Sequence, residues 1–144
     1  MKCAFCEIKE INERITASNK LARAFLTNMP ITSGHTLIVP LRCVGKFEEL
    51  TEEEIKAIFD LRVKVQHLLK KSMKAEGFHF SWNDGKMAGQ SVPHFHLHIV
   101  PRKSGDEGIT EYEPRKFLYR PGSRAESPEE ELKETALYIK NFKK

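Results

Sequence analysis

The segment His94-Phe95-His96-Leu97-His98-Ile99-Val100 constrains this chain more than any other. Polar and apolar residues alternate with a period of two, the mark of a strand whose two faces differ. His94, His96 and His98 then share one face, while Phe95, Leu97 and Ile99 share the other and can face a core. Three neighbouring imidazoles are costly to bury without partners, so the pattern points to chemistry rather than packing. Two chemistries compete. A strand rises about 3.3 Å per residue, which spaces the outer two histidines by about 13 Å at the backbone. Zinc needs ligand nitrogens at about 2.0–2.1 Å, so one ion cannot easily take all three. Two of them could share an ion, or an outer one could serve a separate site. The other chemistry is nucleophilic: a neutral imidazole attacks well near neutral pH, and neighbouring imidazoles and carbonyls can fix its tautomer and supply protons. The second reading is the better one.

The rest of the chain places this segment in an α+β architecture with a mainly antiparallel sheet of about five strands. Ile15 to Ser18 and Leu21 to Thr27 read as two strands joined by a turn at Asn19-Lys20, and Thr36 to Val39 as a buried strand that stops at Pro40. A long helix follows. Thr51 caps it, Glu54 completes a capping box, and Ile55, Ile58, Phe59, Val65, Leu68 and Leu69 form an apolar stripe. The helix spans Thr51 to Lys74, with Lys70, Lys71 and Lys74 at its negative end, and Gly77 is expected to stop it. Phe78 to Asn83 reads as a strand, Asp84 to Gln90 as a Gly-bearing loop, and Pro93 to Val100 as another strand. A stretch rich in Pro, Gly and Arg (Tyr112 to Ala125) precedes a last helix beginning at Ser127, with Pro128 in its first turn. A chain of 144 residues suits one domain, 1–144, with an N-terminal segment 1–10 and a tail and helix in 107–144.

Composition narrows the function classes. No apolar run approaches the roughly 20 residues of a membrane span, and the start lacks a signal-peptide core, so no membrane role is expected. The net charge of +4 is a mild excess that suits an anionic small molecule but more often means a solvated, Lys-rich surface. Basic residues are dispersed and the 9% aromatic content offers no stacking platform, which argues against nucleic acid. Three cysteines, an odd number, argue against a disulfide framework and for a reducing compartment, the cytoplasm.

The run His94 to Val100 resembles the His-x-His-x-His signature of the histidine-triad superfamily, in which the intervening and following residues are apolar. Gly34 to Arg42, Asp84-Gly85, Ala88-Gly89-Gln90-Ser91-Val92 and Pro101-Arg102-Lys103 resemble the same superfamily, so the likeness spans about half the chain, Gly34 to Asp106. It implies a histidine-triad fold with a long helix and a C-terminal helix, and a nucleotide hydrolase or nucleotidyltransferase that cleaves a dinucleoside polyphosphate or related adenylyl compound at its α-phosphate. His96 would attack the phosphorus and carry the nucleotidyl group. His98 would hydrogen-bond the phosphate or leaving group, and His35 would orient the triad from behind. Gln90 and Ser91 would donate to phosphate oxygens, with Asn83 near the bridging oxygen. Asn28, in preference to its neighbour Thr27, would take the ribose hydroxyls because an amide can make two hydrogen bonds. Phe5, Ile8 and Leu37 could sandwich the base or be ordinary core. No Asp/Glu cluster for a catalytic magnesium accompanies the motif, and no organic cofactor is expected.

Cys3-x-x-Cys6 is a weak signal alone, since no strand precedes it to place it as in thioredoxin-like redox proteins. Many bacterial histidine-triad proteins resemble this chain here, and the likeness implies a structural zinc. Its ligands would be Cys3, Cys6, a residue after the Gly-His strand, and the first triad histidine, His94. The third ligand is usually His in those relatives; here the position holds Cys43, and thiolate is an equally good ligand.

The resemblance favours the fragile histidine triad branch, whose members cleave diadenosine polyphosphates to an AMP-like product. Asn83, where that branch carries a longer Gln, and Ser91 lean instead towards the branch that cleaves nucleoside phosphoramidates. A nucleotide sensor with little catalysis is the rival of another class. Superfamily members pair as homodimers through the long helix and a sheet edge, and here Leu61 and Val63 extend the apolar surface of that helix beyond one stripe.

Overall fold

A computed structural model describes residues 3–106 and 126–142. The Pro-, Gly- and Arg-rich stretch from Tyr112 to Ala125 lies outside the described residues. Five strands form one antiparallel sheet in the order β1-β2-β3-β5-β4. They are β1 (Ile15–Ser18), β2 (Ala22–Leu26), β3 (Thr36–Pro40), β4 (Gly77–Ser81) and β5 (Leu97–Arg102). The helices are α1 (Ala4–Glu7), α2 (Glu52–Met73) and α3 (Glu129–Asn141). The expected α+β class and antiparallel sheet are therefore present.

Local chemistry explains most of these elements. The Asn19 side-chain oxygen accepts from the backbone N–H of Leu21 and Ala22 and so closes the β1–β2 turn. At the start of α2, Thr51 Oγ1 accepts from Glu54 N at 3.1 Å while the Glu54 carboxylate accepts from Thr51 N at 2.9 Å, the expected capping box. A bidentate contact from Arg42 holds the same carboxylate. The stripe of α2 packs Ile58, Leu61, Val65 and Leu69 on Ala22, Ala24, Leu26, Ile38, Leu97 and Ile99, and α3 adds Leu132, Ala136 and Ile139. Arg14 ties α3 to the sheet: its Nε lies 3.0 Å from Glu129, and its NH1 donates to the Leu26 carbonyl.

Several boundaries differ from the sequence expectation. α2 keeps its expected extent, Thr51 to Lys74 with the caps, but Gly77 is not what stops it. Lys74 adopts the left-handed conformation (φ 59°) and ends the helix, while Gly77 opens β4. β3 runs through Pro40, which needs no N–H on the side facing Ala22 for the pairing it makes. β2 begins at Ala22 rather than Leu21, and β4 ends at Ser81 rather than Asn83. β5 begins at Leu97 rather than Pro93, because its neighbours pair only from Leu97 and His98 onward, leaving 93–96 without a ladder on either side. α3 begins at Glu129 with Pro128 as its cap. Leu61, expected to extend the partner-facing surface, is 2% exposed in the core; Val63 does stay exposed at 56%. Among the described residues, no helix is long and apolar enough to cross a membrane.

The second face of the sheet carries the site. Phe25, Leu37 and Val39 pack there with Cys3, Phe5 and Ile11 of the N-terminal segment.

Candidate active site

The alternation of the histidine segment survives the late start of β5. Phe95, Leu97 and Ile99 enter the core beneath α2, and His94, His96 and His98 line the opposite face, each less than a tenth exposed. The rings of His96 and His98 meet at 5.0 Å, and His35 from the loop before β3 joins His98 at 5.2 Å.

Backbone groups assign the tautomers of these rings, because a carbonyl can only accept and an N–H can only donate. His96 Nδ1 lies 2.8 Å from the His94 carbonyl, so Nδ1 carries the hydrogen and Nε2 presents a lone pair. The Ile31 N–H donates to His35 Nδ1 at 3.0 Å, so His35 carries its hydrogen on Nε2. That hydrogen meets His98 Nδ1 at 3.0 Å, so His98 becomes a donor through Nε2. A lone pair on one ring thus sits beside a donor on the next. Burial pushes His96 below the ordinary imidazole value, against the opposing pull of the His94 carbonyl, and favours the neutral nucleophilic form.

His94 faces the other way. Its Nε2 donates to the Pro40 carbonyl at 2.8 Å, so Nδ1 offers a lone pair to Cys3 and Cys6, whose sulfurs lie at 3.2 and 3.6 Å. Cys3 is also 3.6 Å from Cys6 and 3.5 Å from Cys43. All four ligand atoms fall within 4.8 Å of one another. Zinc–sulfur bonds of about 2.3 Å in a tetrahedron set neighbouring sulfurs about 3.8 Å apart, close to what these side chains adopt. Burial and the neighbouring thiols push the Cys43 thiol up to about 12. A divalent cation would reverse that by favouring thiolate. Donor set, spacing and the inward lone pair of His94 all fit a metal ion.

The other expected residues sort into two groups. Leu37 lies directly opposite His98 in the β3–β5 register and packs with Phe5 in one apolar patch. Thr27 is buried beside His35, whose carbonyl accepts from its N–H, and Thr27 Oγ1 accepts from Met29 N. Asn28 follows, its carbonyl held by the Ser127 N–H at the foot of α3. Ile8 does not join Phe5 and Leu37 but stands 41% exposed at the end of α1. Gln90 spends its amide on the loops: Oε1 accepts from Gly85 N, and Nε2 donates to the Gly45 carbonyl, both at 2.7 Å. Ser91 follows it at the surface, and Asn83 stands half-buried just past β4. With Arg42, Lys46 and Lys86, Gln90 and Ser91 line an open cavity of about 1070 Å³.

Sequence reasoning missed Arg23 and Ile31. The Arg23 guanidinium donates to the Phe5 carbonyl at 2.7 Å and so holds α1 against β2. A charged residue between two alanines of a buried strand was the available signal. The Ile31 contribution is a backbone N–H, for which no side-chain pattern exists.

The family model described as HIT domain matches residues 8–105. A HIT-like protein of Saccharolobus solfataricus is 42% identical over 117 residues, covering 79% of this chain and 84% of that protein. The asymmetrical bis(5'-nucleosyl)-tetraphosphatase of Schizosaccharomyces pombe is 38% identical over 96 residues, which span 67% of this chain but only 53% of that protein. Among solved structures, a Plasmodium falciparum diadenosine triphosphate hydrolase superposes with a TM-score of 0.74 at 27% identity, covering 90% of this chain and 76% of that one.

Proposed function

Since the chain belongs to the HIT domain family, we propose that it is a nucleotide hydrolase acting on dinucleoside polyphosphates through a nucleotidyl-histidine intermediate on His96. Hydrolases of this kind stand among its relatives. The observation that carries the mechanism is the pair of opposed tautomers, the His96 Nε2 lone pair beside the His98 Nε2 donor.

His96 Nε2 attacks the α-phosphorus, forming a P–N bond as the P–O bond to the leaving nucleotide breaks. His98 hydrogen-bonds the phosphate or leaving group as negative charge builds on the departing oxygen. Water then cleaves the P–N bond, releases an AMP-like product and restores the neutral imidazole. Ser91, and the second Nε2 hydrogen of Gln90, support charge on the phosphate oxygens, with Asn83 on the leaving side. Asn28 (or Thr27) takes the ribose, and Leu37 the base.

Cys3, Cys6, Cys43 and His94 would hold a zinc ion, whose chemistry there is structural: four protein ligands close the coordination sphere. About one zinc per chain by elemental analysis supports this reading, and metal-free native protein refutes it. The reduced thiols that this requires accord with a cytoplasmic site of action. A homodimer would use the outer edge of β4, the last strand of the sheet among the described residues, and the side of α2 bearing Val63. Ultracentrifugation at micromolar concentration tests it.

Asn83 and Ser91 favour a second reading, a nucleoside phosphoramidase with the same nucleophile. One screen separates the two: diadenosine tri- and tetraphosphate and adenosine phosphoramidate, with products identified by mass. AMP from the polyphosphates, with acid-labile and alkali-stable label retained on the protein from α-labelled substrate, is the expected result. Cleavage of the phosphoramidate alone would select the second reading. Nucleotide binding without turnover of any of the three would point to a sensor.

A further inference from the structure

Phe5 stands where the metal cluster and the triad meet. Cys3, which caps α1, and Cys6 within it approach His94 Nδ1, while the Phe5 ring meets His96 edge-on at 5.1 Å with planes 84° apart. The same ring touches His94 at 5.9 Å and Phe25 at 5.4 Å, and only 9% of the residue is exposed. Its carbonyl is fixed by Arg23. A helix of four residues has no stability of its own, so α1 stays in place through these side-chain anchors.

We propose that Phe5 is a positioning residue that holds the His96 ring in its attacking orientation, so that the Cys3–Cys6 segment sets the geometry of the nucleophile. The proposal rests on the reading of His96 as nucleophile. The His96 ring is held at three points. His94 O takes its Nδ1–H, His98 packs on one side at 5.0 Å, and Phe5 closes another. Two of these three belong to the metal-binding group or lie within it: the carbonyl is that of His94, and Phe5 lies between two of the cysteines. Without the Phe5 ring, His96 can turn about its second torsion, which exchanges the nitrogen lone pair facing substrate for a C–H. The reaction then slows without weaker binding, because what is lost is alignment at the reacting atom.

The test compares Phe5→Leu, which keeps an apolar side chain but removes the ring, with Phe5→Tyr, which keeps the ring. Zinc content is measured on every sample and only samples of equal content are compared. The Leu variant is expected to lose about tenfold to a hundredfold in kcat with KM for the dinucleotide within about twofold, and the Tyr variant to regain most of it. Nitrogen-15 spectra of the His96 ring are read alongside, in the absence of nucleotide. They should show one fixed Nδ1–H tautomer in the native protein and an averaged signal in Phe5→Leu. A raised KM with unchanged kcat would overturn the proposal and return Phe5 to the base-binding role that the resemblance implies. An unchanged ring spectrum would overturn it as well. Because the spectra need no turnover, failure of every substrate would refute the hydrolase reading while Phe5 is still judged by the ring signal.

Discussion

The two faces of the sheet are built on opposite principles. Beneath α2 and α3 the contacts are those of Ile58, Leu69, Leu97, Ile99 and Ile139, each within 1% of complete burial and all apolar. Their attraction is non-directional, so any well-packed set of similar volume serves. On the other face, His35, His94, His96 and His98 are nearly as buried, yet every one points a particular nitrogen at a particular partner. There, direction is everything: a buried imidazole turned over would put a C–H where a nitrogen had bonded, and the wrong tautomer would set lone pair against lone pair. One face therefore supplies stability and the other converts it into fixed tautomers. Substitutions should separate the two.

The sharpest break is His96→Ala. Turnover should fall by three or more powers of ten, because a covalent nucleophile is lost. The fold should survive with a modest loss of stability, about 1–3 kcal/mol for the His94 carbonyl left unsatisfied, far too little to account for the loss of turnover. Wild-type turnover in this variant would place the nucleophile elsewhere.

Next in size is a cut on the apolar face. Leu69 is fully buried, and Leu69→Ala should cost about 2–5 kcal/mol of unfolding free energy. Activity per folded molecule should be retained. If kcat collapses in protein that is shown to be folded, the two faces are not independent.

His35→Ala probes both properties at once. It removes the bonds that His35 makes with the Ile31 N–H and with His98 Nδ1, at about 1–3 kcal/mol for a buried group left unsatisfied. It also frees His98 to take either tautomer, so activity should fall, but less than in His96→Ala. Urea denaturation and kinetics on the same preparation give both numbers.

The smallest effect belongs to the rim of the apolar face. The hydrogen bonds from Arg42 hold the Glu54 carboxyl below its usual value. The stabilisation is therefore complete above the ordinary glutamate range, near 4.3, and is lost as pH falls through the lowered folded-state value. Glu54→Gln should cost about 1 kcal/mol at neutral pH and flatten the acid limb of the stability curve. Urea midpoints at neutral and acidic pH measure it. An acid limb as steep as the wild type's would assign the pH dependence to other carboxylates.

Elements specified within a few residues were legible in the sequence. Alternation from His94 to Val100 placed the imidazoles on one face, Thr51 and Glu54 announced the start of α2, and Asn19 marked the first turn, because each signal is complete within its own segment. The extent of α2 to Lys74 was legible as well, from the lysines gathered at its end, but the residue that stops it was not: a glycine at 77 offered the usual stop, whereas Lys74 itself takes the left-handed conformation where the chain turns into β4. The four donors of the metal group were drawn from the sequence only through resemblance. Their meeting within 4.8 Å needs the N-terminus, the end of β3 and the approach to β5 to converge. Tertiary structure alone decided which nitrogen of each histidine carries its hydrogen, that the Gln90 amide bridges two loops, and that Phe5 lies against His96. The physical reason is range. Periodicity and capping act between residues three or four apart. A tautomer is set by one carbonyl or N–H brought to about 3 Å by the packing of the chain, as when the Pro40 carbonyl meets a histidine 54 positions away.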